Sequence, residues 1–197
     1  ALPEASTLER PKEFPEGKKC VFITGGSQGA LGINRKIEES IKEIIADTSL
    51  SVVWQVGSKH VESFQERLGN LPNVSIVGFV NNVYAYFQYA DLIVSRAGAS
   101  ALAEILAFGK PSVLLPFPHA TANHQEKNAR VVEKAGAALV ELDDEPNQLW
   151  TKISDLLNND TKRGQMAEQA KNLGMPDAAD RIAKAILKME KYYAKNA

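Results

Sequence analysis

From Cys20 onward the chain alternates short, nearly all-apolar runs with longer amphipathic ones, and that alternation leaves few folds open. The short runs are CVFIT, SVVWQV, NVSIVGF, DLIVS, PSVLLPF and AALVEL, separated by helical stretches that begin with ALGINRKIEESIKEIIAD. A strand that is apolar on both faces needs cover on both, and strands joined through helices pair in parallel. The pattern predicts βαβ units and an α/β domain built on a doubly wound parallel sheet. The first helical stretch has the clearest period. Ile33, Ile37, Ile41, Ile44 and Ile45 form an apolar stripe, with Arg35, Glu38, Glu39, Lys42 and Glu43 opposite it.

After Leu142 the strand pattern stops, and PNQLWTKISDLLNN, TKRGQMAEQAKNLG and PDAADRIAKAILKMEKYYAKN read as a helical C-terminal tail. In the last of these, Lys184, Lys188, Lys191 and Lys195 read as a solvated face. Residues 1–19 hold three prolines and many charges without a sustained period, so they read as a linker or surface arm preceding a domain over 20–197. The opening Ala fits processing or a cut boundary. Lys and Arg number 23 against 24 Asp and Glu, a net charge of -1, so no global field points to nucleic acid or an anionic membrane. The single cysteine, Cys20, excludes an internal disulfide framework and a cysteine-built zinc site, and it reads as a small core residue. No apolar run approaches the ~18 residues of a spanning helix, and no signal-peptide pattern opens the chain. A soluble domain of a reducing compartment is expected.

Ligands of open parallel sheets bind beyond the carboxyl ends of the strands, so the turns there carry the functional argument. Gly25-Gly26-Ser27-Gln28-Gly29-Ala30 joins the first strand to the first helix. Glycines let a ligand approach the backbone, and a helix start offers free N–H groups to phosphate. The spacing is neither GxGxxG nor a P-loop, which leaves a phosphate or sugar site, or a plain tight turn. Ser95-Arg96-Ala97-Gly98-Ala99-Ser100 forms a second such junction. Glu104, one turn further on, is the only charge in SALAEILAF. It reads as a solvent-facing residue or as an acceptor for two vicinal hydroxyls, such as those of a ribose. Arg96 is a candidate ligand residue, or a structural partner for Glu104 or another carboxylate.

The third loop, Pro116 to Gln125, gathers His119, Asn123, His124 and Gln125 at a helix start, with Asn128 one turn on. Amides and imidazoles suit neutral hydroxyls and acetamides. The histidines lack companions at metal-ligand spacing, so no metal is expected. The plainer alternative is a helix capped by Asn123 with exposed histidines. The fourth, Gly78-Phe79-Val80-Asn81-Asn82, reads as a core Phe before an Asn-rich turn, or as a platform for a flat base. Tyr84, Tyr86, Phe87 and Tyr89 read as a core-facing helix surface with polar tips, and His60 is assigned no role.

In order along the chain, GGSQGA (25–30), GFVNNV (78–83), ADLIVSRAGASALAEILAFGKPSVLLPFP (90–118), HQEKNA (124–129) and EKAGAA (133–138) resemble the C-terminal half of the MurG glycosyltransferase family. The resemblance covers about residues 20–185. It implies a GT-B enzyme, two Rossmann-like domains around a cleft, in which this half binds UDP-N-acetylglucosamine (UDP-GlcNAc). The family's reaction transfers GlcNAc to lipid I and makes lipid II for peptidoglycan. By the same resemblance, Phe79 and Val80 flank the uracil and Glu104 takes the ribose hydroxyls. Gly26, Ser27 and the amides of Ala99, Ser100 and Ala101 face the diphosphate. His124 and Gln125 contact the GlcNAc hydroxyls, and Asn128 supports their loop. No cofactor or metal is implied, because N–H groups and helix dipoles stabilise the departing diphosphate. The family usually carries Thr at the position of Ala101, an acid near Asn81 or Asn82, and Asp at Asn123. Its basic linker residue has no clear counterpart here, Arg10 being the nearest.

The family's acceptor loops, proposed catalytic His and membrane-facing patch belong to its other half, so no catalytic residue is assigned here. The expectation is a donor-binding half, excised or naturally separate, that binds UDP-GlcNAc and transfers it poorly or not at all alone. Its expected partners are an N-terminal acceptor domain or a separate acceptor-binding subunit, and lipid I through that partner. The expected location is cytoplasmic, peripheral at the inner membrane face in the full enzyme. The alternatives are a donor subunit of a two-subunit transferase, a nucleotide-sugar binding module without activity, and a related UDP-GlcNAc 2-epimerase. An epimerase needs catalytic acids where this chain has amides.

Overall fold

The computed structural model describes Pro3 and residues 7–196, the last seven of these by backbone alone. The strands are β1 (Lys19–Thr24), β2 (Leu50–Gln55), β3 (Val74–Val77), β4 (Leu92–Ser95), β5 (Ser112–Leu114) and β6 (Ala138–Val140). They form one sheet in the order β3-β2-β1-β4-β5-β6, every neighbouring pair parallel. In register, Ile23 of β1 faces Trp54 of β2 and Val94 of β4. The order reverses at β1, where a crevice opens above the strand ends in doubly wound sheets. The α/β architecture expected from the alternation is the one observed.

The helices are α1 (Leu31–Glu39), α2 (Ile41–Ala46), α3 (Val61–Leu68), α4 (Val83–Tyr89), α5 (Ala99–Ala107), α6 (His124–Lys134), α7 (Leu149–Leu157), α8 (Asp160–Leu173) and α9 (Ala178–Asn196). Alternate residues of each strand serve the two faces. Val21 and Ile23 pack with Ile33, Ile37, Ile44, Phe64 and Ile153 in one cluster, while Cys20 and Phe22 join Phe14, Phe87 and Ile105 in another. A third cluster joins Leu102 of α5 and Val132 of α6 to Leu114 and Val140.

One feature differs from the expectations, and two others gain detail. The first helical stretch is two helices, not one. It breaks at Ser40, whose hydroxyl donates to the Lys36 carbonyl at 3.3 Å, a back-bond that bends helices. The stripe survives the break, with Ile33, Ile37 and Ile44 buried and Ile41 and Ile45 packed beside them. Residues 7–18 follow the surface but are tied into it. Phe14 is fully buried, its ring edge-on to Tyr86 at 5.6 Å, and the Ser51 and Tyr89 hydroxyls donate to the carbonyls of Glu13 and Leu8. Residues 1, 2 and 4–6 of that arm lie outside the described residues. At the other end, α9 buries none of residues 181–189. Lys184 and Lys188 are exposed, and the side chains of Lys191 and Lys195 lie outside the described residues. Among the described residues no helix is long and apolar enough to cross a membrane.

Candidate functional site

A cleft of about 320 Å³ lies over the carboxyl ends of the strands near the β1–β4 switch point. Its floor comes from Thr24, Gln55 and Ser95 at the ends of β1, β2 and β4. Of the residues singled out by sequence, Gly26, Ser27, Phe79, Val80, Arg96, Ala101, Glu104 and Gln125 line it together. Ala99 and Asn128 line a separate apolar groove on the far side of α5. His124 is exposed at the start of α6, its Nδ1 2.7 Å from the Thr121 carbonyl, and Ser100 is exposed on the first turn of α5.

The β1–α1 turn is shaped by close approach. A Cβ on Gly25 would lie 2.3 Å from the Ala30 nitrogen, and one on Gly29, which has φ +75°, would lie 2.0 Å from the Val56 carbonyl oxygen. Gly26, at φ +78°, has open space instead and faces the cleft. Gln55 donates to the Gly26 carbonyl at 2.8 Å, and the Thr24 hydroxyl accepts the Gly26 N–H at 3.0 Å. Both α1 and α5 begin without a side-chain cap, at Ala30 and Gly98. At the start of α5, where Gly98 and Ala101 line the cleft, free N–H groups and a positive dipole end supply the chemistry of an anion site.

The cleft walls resolve several alternatives. Phe79 is 54% exposed, so it is a surface aromatic and not the core Phe of the plainer reading; Val80 is the buried member of the pair. Glu104 is half-buried and takes a 3.3 Å hydrogen bond from the Tyr84 hydroxyl on one carboxylate oxygen. Burial first, and the Glu104 carboxylate second, hold the Tyr84 phenol above its usual range. Tyr84 packs against the core as expected, stacked on Phe108 at 5.7 Å, and its polar tip buttresses the cleft carboxylate. An i to i+20 contact between helices leaves no trace in local spacing.

Arg96 does not pair with Glu104; it takes the other structural reading and pairs with another carboxylate. Its two terminal nitrogens each reach the Asp143 carboxylate at 2.8 Å, and one also donates to the Leu115 and Pro116 carbonyls. Nor does the Asn123 side chain cap α6. Asn123 is left-handed at φ +53°, next to Ala122 at +52°, and its amide donates to Glu126 at 2.7 Å. Arg10, the candidate for the linker basic residue, lies over the Tyr89 ring and donates to the Phe14 carbonyl, away from the cleft. Among the described residues no group of three or more His, Cys, Asp or Glu is arranged to hold a metal ion.

Comparison with known proteins identifies the family and the fold. The glycosyltransferase family 28 C-terminal domain matches residues 20–182. The chain is 37% identical over 183 residues to the UDP-N-acetylglucosamine–N-acetylmuramyl-(pentapeptide) pyrophosphoryl-undecaprenol N-acetylglucosamine transferase of Salinibacter ruber, covering 92% of this chain and 50% of that protein. A transferase of the same name from Bacillus cereus is 41% identical over 179 residues, covering 88% and 49%. The chain thus spans about half the length of the curated relatives it matches. The crystal structure of Acinetobacter baumannii MurG superposes with a TM-score of 0.78 at 26% identity, over 88% of this chain and 51% of that one. A UDP-N-acetylglucosamine 2-epimerase structure from Listeria monocytogenes, at 17% identity and a TM-score of 0.67 over 90% and 46%, shares the fold. The chain belongs to the glycosyltransferase family 28 C-terminal domain and corresponds to the C-terminal half of the MurG-type transferases.

Proposed function

We propose that this chain is the donor-binding domain of a MurG-type N-acetylglucosaminyltransferase, with UDP-GlcNAc as its ligand. The carrying observation is the convergence on one cleft of the Gly25–Ser27 turn after β1, the uncapped start of α5 and a carboxylate one turn into that helix. The diphosphate lies against Gly26, Ser27 and the amides of Ala99, Ser100 and Ala101, where helix N–H groups meet anionic charge. Glu104 accepts the ribose hydroxyls through the carboxylate oxygen that Tyr84 leaves free. The uracil rests on exposed Phe79 and the Val80 backbone. The sugar reaches the edge formed by α6, where Gln125 and His124 meet its hydroxyls and Asn128 ties α6 to the Ala97 carbonyl.

On this reading no metal is needed, because dipoles and N–H groups already aimed at the diphosphate stabilise it as it departs. Transfer also needs a base for the acceptor hydroxyl, and we assign none within this chain. An acceptor-binding domain or subunit completes the enzyme, carries lipid I and brings it to the inner face of the membrane. Alone, the chain binds donor and transfers little or none.

Calorimetric titration of the chain with UDP-GlcNAc, UDP, UDP-glucose and ADP-ribose, without metal, tests this. The expected result is binding of the uridine nucleotides with preference for UDP-GlcNAc. Failure of every uridine nucleotide to bind would overturn the reading of the cleft as a preformed donor site.

A further inference from the structure

Gln125 lines the cleft, and its carboxamide can present either an acceptor or a donor. Its Oε1 accepts the Phe117 N–H at 3.0 Å. A backbone N–H can only donate, so this bond fixes the flip of the carboxamide: the oxygen faces the loop and the amide nitrogen is turned away from it. The carbonyl of the same peptide unit, on Pro116, accepts from Arg96 Nη1 at 3.2 Å. The bond is trans, so its oxygen and hydrogen point opposite ways, toward Arg96 on one side and Gln125 on the other.

Arg96 is held in turn. Asp143 meets both of its terminal nitrogens at 2.8 Å, and both side chains are 13% exposed. Such a forked pair fixes direction as well as distance. Asp143 itself is seated against α1. Its carbonyl accepts from Arg35 at 3.0 Å, and a Cβ on Gly32 would lie 2.1 Å from its carboxylate oxygen. The pair thus joins the first turn of α1 to the loop after β5.

We propose that Asp143 and Arg96 are positioning residues that hold the Pro116–Phe117 peptide and, through it, fix the flip of the Gln125 carboxamide so that its NH₂ meets the sugar as a hydrogen-bond donor. The proposal rests on the assignment of the cleft to a nucleotide sugar. It gives Arg96 the role of a brace in place of a phosphate ligand, and it gives Gln125 selectivity for a sugar oxygen that accepts.

Two measurements test it. In the ligand-free protein, Asp143→Asn moves the NMR resonances of the Phe117 amide and the Gln125 side-chain NH₂ and leaves those of Gly26 and Ser27 in place. In titrations, Asp143→Asn weakens UDP-GlcNAc by about tenfold, the scale of one hydrogen bond, and leaves UDP unchanged. Added to Gln125→Ala, it costs nothing more, since residues acting through one contact are not additive. Equal losses for UDP and UDP-GlcNAc, a loss that adds to that of Gln125→Ala, or unmoved Phe117 and Gln125 resonances would each overturn the proposal. Should Asp143→Asn not fold, Arg96→Lys is read by the Phe117 and Gln125 resonances and by additivity with Gln125→Ala, because an ammonium does not reproduce the guanidinium's fork to Asp143. A wild-type protein that binds neither ligand refutes the donor-site reading, and the resonances still decide whether the linkage exists.

Discussion

At the scale of single residues, Glu104 bears most on function. It is a lone charge in the sequence of α5, and the tertiary structure places it on a cleft wall with one oxygen bonded to Tyr84. Glu104→Ala is expected to weaken both UDP and UDP-GlcNAc by about 1–3 kcal/mol, the range for a lost hydrogen bond to a charged group, since both ligands carry the ribose. His124→Ala should weaken UDP-GlcNAc more than UDP. Paired titrations check both; unchanged affinity in Glu104→Ala would make that residue structural, and equal losses in His124→Ala would remove its sugar role. Motif spacing was enough to single out Glu104, Gly26 and Gln125. It could not single out Asp143 or Tyr84, because their partners lie 47 and 20 residues away and depend on how the elements pack.

Between elements, the tail helices are fastened by a buried charge cluster. Glu141, just after β6, meets Lys36 of α1 at 2.8 Å and Lys152 of α7 at 2.6 Å, and both Lys36 and Glu141 are fully buried. Burial alone would push the Glu141 carboxyl up, but hydrogen bonds from Lys152, Lys36 and the Gln148 backbone bring it below its usual range. A carboxyl lowered on folding contributes stability that is present above its unfolded value and lost as pH falls through its folded value. Glu141→Gln should cost about 3–5 kcal/mol at neutral pH, since it leaves the Lys36 ammonium buried without its counter-charge. Denaturant unfolding at pH 7 and through the acid range checks this; the variant should show less of the acid-side loss than the parent. The α1 pattern placed Ile33 and Ile37 inward but gave no sign that Lys36 would follow them, because a lysine reads as solvated until its counter-charge is known. The break at Ser40 was hidden for a similar reason: the apolar period runs straight through it.

For the molecule as a whole, the sheet and its helices bury three apolar clusters, while residues 179–189 of α9 are exposed. Ile182, Ile186 and Met189 recur at i, i+4 and i+7 on one face and are 57–62% exposed. A helix that buries so little contributes little to folding. Truncation after Pro176 should leave the thermal midpoint of the remaining domain unchanged, as differential scanning calorimetry would show; a large drop would mean that α9 packs on the domain. By itself, the sequence determined the parallel α/β sheet and the family, because strand-length runs apolar on both faces and five ordered motifs survive without knowledge of contacts. It also marked the turns that would meet above the strand ends. Only the tertiary structure decided which of those residues share the cleft, that Arg96 is bound by Asp143, that Phe79 is exposed, and that Phe14 anchors the N-terminal arm. Periodicity and turn chemistry are local properties of a chain, whereas a carboxylate's partner and the accessible face of a loop are set by segments that meet only on folding.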